Sequence, residues 1–133
     1  MRIARSMLDG IVAQARAEAP NECCGMIAAR DGEAVAVHPA RNAAASPLRY
    51  EMDPRDQLAV FEALDDAELD VGAIYHSHTR SDPVPSQTDI NLAFYRDALY
   101  VILGVKDADR DDVRAWRIVD GKVSEAALEV EEG

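Results

Sequence analysis

Cysteine is almost absent from this chain: there are two among 133 residues, and they are adjacent, Cys23 and Cys24. Neighbouring residues rarely meet disulfide geometry, so no disulfide framework is available. Both thiols are expected as small buried side chains of a strand, with a reactive thiol or an extra metal ligand as the alternatives. Basic charge is also scarce, 14 Lys and Arg against 25 Asp and Glu, for a net charge of −11. That balance argues against a nucleic-acid partner, whose phosphates need a basic footprint. No apolar run approaches the length of a membrane span, so no membrane partner is expected. Met1-Arg2-Ile3-Ala4-Arg5 passes into an amphipathic segment charged throughout, with no apolar signal core, and a reducing cytoplasm is the expected address. Internal repeats and low-complexity linkers are missing too. What is there is a 133-residue chain of 48% hydrophobic content, enough for one domain, 1–133, with a core of its own.

Periodicity orders the elements. Met7, Leu8, Ile11, Val12 and Ala15 recur at helical spacing and predict a helix over residues 5–18, stopped by Pro20. Cys24 to Ala29 and Ala34 to His38 flank Asp31-Gly32 and read as a hairpin. A loop over Asn42 to Tyr50 leads to Asp53-Pro54, an N-cap with proline at the first helical position, and a second helix runs to about Glu68. Val71 to Tyr75 is a buried strand ending in His76. Ser86 to about Asp97 is expected as a third helix and Leu99 to Val105 as a strand. Val113 to Val119 and Lys122 to Val130, joined by Asp120-Gly121, form a closing hairpin with Trp116 in its packing, and Glu129 to Glu132 is an acidic tail expected to fray. His38, before Pro39, is expected as a surface or strand-end histidine. The fold class is α/β, a mixed curved sheet with about three helices.

The chemistry gathers between His76 and Asp89. Alternate residues of a strand share a face, so His76 and His78 point the same way. A catalytic zinc takes three protein ligands from His, Asp and Glu and keeps a fourth position open. Asp89, returned by the proline-rich loop, is the plausible third. Either half alone has an ordinary explanation: a His-x-His pair is common, and Ser86-x-x-Asp89 before Ile90 and Leu92 is also a capping box. The full spacing favours a metal site holding one Zn²⁺ per chain.

At these residues the chain resembles the JAMM (MPN-plus) zinc isopeptidases, whose pattern is an upstream Glu, then His-Ser/Thr-His, seven residues, Ser, two residues and Asp. The seven here are Thr79 to Pro85. The resemblance implies an MPN fold, His76, His78 and Asp89 as zinc ligands, Ser86 as a stabiliser of the tetrahedral intermediate, and Glu22 as the proton carrier. From spacing alone Glu22 is one acidic residue among many, although its place beside the apolar run from Cys23 to Ala29 puts it at a strand start. Many relatives carry Pro after the second His, where this chain has Thr79. That change concerns loop shape and touches no ligand.

JAMM proteins cut amide bonds at the C-terminal tails of ubiquitin-like proteins. Only 44 residues follow Asp89, too few for an added ubiquitin-gripping insertion. With Thr79 and the segment Ser46 to Glu51, the chain looks most like the bacterial Mec-type hydrolases. That resemblance implies a partner: a small ubiquitin-like sulfur-carrier protein with a Gly-Gly tail, from which cysteine is released during cysteine synthesis. Ser46 to Met52 is then a groove edge, and Arg49, Tyr50 and Thr79 are candidate substrate contacts. A broader deubiquitinase-like peptidase and a non-enzymatic MPN scaffold are the alternatives, and a homodimer is left open.

Overall fold

A computed structural model describes residues 1–132. The elements in chain order are β1 (Arg2–Ala4), α1 (Arg5–Glu18), β2 (Cys24–Arg30), β3 (Glu33–Ala40), α2 (Pro54–Asp66), β4 (Asp70–His78), α3 (Gln87–Asn91), β5 (Leu99–Gly104), β6 (Asp112–Val119), β7 (Lys122–Ala126) and β8 (Glu129–Glu131). The strands form one mixed sheet in the order β7-β6-β5-β4-β2-β3-β1-β8. At its centre β4 runs antiparallel to β2 and parallel to β5.

Alternation along these strands divides the core between two faces. Ile27, Tyr75, Val101 and Leu103 point to the side covered by Leu8, Ile11 and Ala15 of α1. Met26, Ile74, Tyr100, Ile102 and Trp116 point to the side covered by Val60 and Leu64 of α2. The helices obey their sequence signals: Asp53 accepts the Arg55 N–H at 2.9 Å, with Pro54 opening α2. On α1 the buried positions 8, 11 and 15 make a single stripe. Gly25 pairs with Tyr75 across β2 and β4, where a β-carbon would overlap the phenol ring. Among the described residues no helix is long and apolar enough to cross a membrane.

Three expectations are corrected. The third helix stops at Asn91, not near Asp97, because tertiary bonds replace helical ones beyond it. The Tyr95 N–H donates to Tyr100 Oη at 3.1 Å, and Gln57 Nε2 of α2 donates to Tyr95 Oη at 2.6 Å. The acidic tail does not fray: β8 lies parallel to β1, pairing Ile3 with Val130. Val130 and Leu128 pack on the α1-side core, and Arg5 Nη2 meets Glu132 at 2.9 Å. The expected strand from Lys122 to Val130 is therefore two strands on opposite edges of the sheet. The short β1 has no sequence signal, because three residues carry no readable alternation.

Candidate metal centre

The C-terminal end of β4 sets the site. His76 and His78 share the face of Ile74, and both are buried. Ser77 between them points to the other face, where its Oγ accepts the Cys23 N–H at 2.8 Å. The Ser77 N–H donates to the Cys23 carbonyl at 3.1 Å. These bonds extend the register in which Cys24 pairs with His76, so two places further on Glu22 falls opposite His78, on the histidine face. Glu22 thus lies two residues before β2 begins.

Asp89 arrives from α3. Ser86 caps that helix: its Oγ accepts the Asp89 N–H at 3.1 Å, while the Ser86 N–H donates to Asp89 Oδ2 at 2.9 Å. The capping box and the metal motif are one arrangement, since the same Oδ2 faces both imidazoles. His76 Nε2 lies 3.2 Å and His78 Nε2 3.0 Å from it, and the two nitrogens are 3.2 Å apart.

These three atoms fit a metal ion. Ligands at 2.0–2.1 Å from a tetrahedral zinc stand about 3.3 Å apart, and the triangle here has edges within a few tenths of an ångström of that. Neutral His78 donates its Nδ1–H to the Asp82 carbonyl at 2.8 Å, which leaves the Nε2 lone pair facing inward. His76 has no such partner for Nδ1. Its ring is instead stacked on Tyr50, centroids 4.4 Å apart and planes 21° from parallel. Among the described residues His76, His78 and Asp89 are the one group able to converge on a cation. Neither cysteine joins them. Both are buried, and burial pushes the Cys23 thiol up to about 11 and the Cys24 thiol up to about 12, as expected of small side chains of a strand.

Electrostatics separates the two carboxyls. In the metal-free chain, where Nε2 protons of the two imidazoles face Asp89 in place of a cation, burial opposes ionisation of its carboxyl, but these hydrogen bonds from His76 and His78 and the Ser86 N–H hold it below the usual range. Glu22 has no such help. It is 4% exposed, and its Oε1 is buried without a hydrogen-bond partner. Burial pushes its carboxyl up to about 7, with His78 pulling the other way and Asp89 adding to the rise. The two carboxyls are thus pushed in opposite directions by their surroundings, Asp89 toward the anion and Glu22 toward the protonated acid. Ser86 is exposed, and because its oxygen accepts in the cap, its hydroxyl proton remains available.

The expected substrate contacts border this centre unequally. Tyr50 is half-buried against His76. Arg49 is exposed, 3.9 Å from Glu51, and shares with Tyr50 a cavity of about 420 Å³ also lined by Leu92, Phe94 and Tyr95. Thr79 Oγ1 donates to the Pro20 carbonyl at 2.8 Å and approaches that of Pro47 at 3.5 Å, closing two loops over the Glu22 segment. Sequence reasoning passed over Ser77 and Asn42. A serine facing away from its neighbouring ligands and an asparagine in a loop carry no local signal of the partners they reach.

A buried His-His-Asp triangle at a strand end, with a desolvated glutamate beside it, belongs to a known class. The sequence profile of the prokaryotic homologues of the JAB domain matches residues 4–119, and the chain belongs to that family, the JAMM-type hydrolases. It is 40% identical over 132 residues to the CysO-cysteine peptidase of Mycobacterium tuberculosis, covering 98% of this chain and 90% of that one. It is 39% identical over 110 residues to the desampylase of Haloferax volcanii, covering 77% and 78%. The solution structure of protein DSY2949 from Desulfitobacterium hafniense superposes with a TM-score of 0.88 at 28% identity, covering 100% and 94%.

Proposed function

We propose that this hydrolase uses one zinc ion, held by His76, His78 and Asp89, to cut the amide bond after the Gly-Gly tail of a small ubiquitin-like sulfur-carrier protein, releasing cysteine for cysteine biosynthesis. The observation that carries the reading is the triangle of Nε2, Nε2 and Oδ2 atoms with the desolvated Glu22 carboxyl beside it. A zinc ion there supplies Lewis acidity, polarising a carbonyl and lowering the pKa of water to about 7. Glu22 accepts the proton of the attacking water and returns it to the departing amine, a role contributing roughly 10²- to 10⁴-fold. The free hydroxyl proton of Ser86 is directed at the developing oxyanion.

The substrate assignment leans on the similarity to the mycobacterial peptidase. The segment from Ser46 to Met52 forms the groove edge, where an extended tail adds through main-chain hydrogen bonds. Arg49 and Tyr50 flank that tail, and Thr79 contributes at the closed end. Free thiols suit a reducing compartment, and the cytoplasm is the proposed address. The similarity to an archaeal desampylase favours a second reading, a broader peptidase acting on several ubiquitin-like conjugates.

Mass spectrometry tests the two together. A sulfur-carrier protein ending in Gly-Gly-Cys should lose the cysteine mass only with enzyme and metal, and chelator should abolish the loss. A panel with other residues after Gly-Gly separates the readings: cleavage of all at similar rates would replace the dedicated cysteine releaser with the broader peptidase.

A further inference from the structure

Asn42 is a loop residue outside the metal motif, yet all of its side-chain hydrogen-bonding capacity is used. Nδ2 donates to the Glu22 carbonyl at 3.0 Å and to the Arg49 carbonyl at 3.1 Å. Oδ1 accepts the N–H of Ala44 at 3.0 Å and of Glu51 at 2.9 Å. A second tie lies close by, the Glu22 N–H donating to the Ser46 carbonyl at 2.9 Å. Both peptide groups of Glu22 are thus bound to the loop that carries Tyr50, and Tyr50 is stacked on His76.

We propose that Asn42 is a positioning residue for hydrolysis: its amide fixes the Glu22 main chain and the Arg49–Glu51 edge in one register, so that the proton carrier and the groove wall meet the same substrate carbonyl. The two ends of the amide do different work. Oδ1 folds the loop on itself, an ordinary turn function, and one Nδ2 hydrogen adds to that fold through the Arg49 carbonyl. The other Nδ2 hydrogen alone joins the folded loop to Glu22. Small displacements of a reacting group far outweigh their structural cost, with about 1 Å worth roughly 10²-fold. The inference rests on Glu22 as the proton carrier in the proposed function.

Asn42→Asp separates the two ends, since a carboxylate keeps both acceptors and loses both donors. Zinc-loaded wild type, Asn42→Asp and Asn42→Ala are compared on the Gly-Gly-Cys carrier protein, with zinc content and melting temperature measured alongside. We expect both variants to bind one zinc per chain and to lose kcat by about 10- to 100-fold, with KM changing less than threefold for Asn42→Asp. If Asn42→Asp turns over like wild type, Asn42 only folds its loop and the inference is overturned. Loss of zinc or of the folded state in both variants would overturn it equally. If wild type itself leaves the carrier protein intact, the substrate reading fails separately, and amide hydrogen exchange decides. Faster exchange of the Glu22 N–H in Asn42→Asp, against unchanged exchange in β4 and β5, supports the tie; equal exchange refutes it.

Discussion

The desolvated Glu22 makes folding of the metal-free protein pH-dependent, in a direction opposite to that of an ordinary paired carboxylate. Its carboxyl stands near 7 in the folded chain, against an ordinary 4.5, chiefly through burial. The folded state therefore holds this proton more tightly than the unfolded state. The contribution of Glu22 to stability is greatest below 4.5, falls as pH rises from 4.5 to about 7, and is least above it. At 1.36 kcal/mol per pH unit, the rise caps the loss at about 3 kcal/mol. Glu22→Gln keeps the shape and does not titrate, so the pH effects of groups not coupled to Glu22 cancel in the difference between the two proteins, while His78, which the Glu22 charge pulls upward, adds to it. Urea unfolding in the presence of chelator measures it: the two proteins should be similar at pH 4.5, with the variant more stable by about 2 to 3 kcal/mol at pH 8. With urea slopes of roughly 1–3 kcal/mol/M, the midpoints would separate by roughly 1 to 3 M. Stability curves that stay parallel from pH 4.5 to 8 would refute the desolvation of Glu22, and with it the physical basis for a proton carrier working near neutrality.

Other substitutions probe the remaining roles. His76→Ala and Asp89→Ala each remove one corner of the donor triangle and should abolish stoichiometric zinc on elemental analysis, whereas Glu22→Gln should keep the metal and lose turnover by roughly 10²- to 10⁴-fold. Ser86→Ala removes a helix cap and the proposed oxyanion donor, so a stability loss of about 0.5–2 kcal/mol should accompany a roughly 10²- to 10³-fold drop in kcat. Ser86→Asn restores a cap without the hydroxyl, and recovery of melting temperature without recovery of rate would separate the two roles. Gly25→Ala drives a methyl into the Tyr75 phenol, whose Oη donates to Gln14 Oε1 at 2.5 Å; overpacking there should cost about 1–3 kcal/mol in denaturant unfolding.

The residues that converge were legible because their signals are local. Strand alternation alone places His76 and His78 on one face, and the Ser86-x-x-Asp89 spacing alone places a carboxylate in the first turn of a helix. Proline stops, the Asp53 cap and the helical stripe of α1 likewise fix elements through interactions within a few residues. What tertiary structure decided lies across longer separations. The tail becomes β8 because β1, at the far end of the chain, offers it a strand edge and the core accepts Leu128 and Val130. The third helix ends early because Tyr100 and Gln57 claim Tyr95. Glu22 is distinguished from the other acidic residues by burial, and burial follows from the pairing of β2 with β4 and the loop anchored by Asn42. Local alternation fixes which side chains share a face; the assembled sheet alone fixes which of them lose water, and loss of water is what moves a carboxyl toward neutrality.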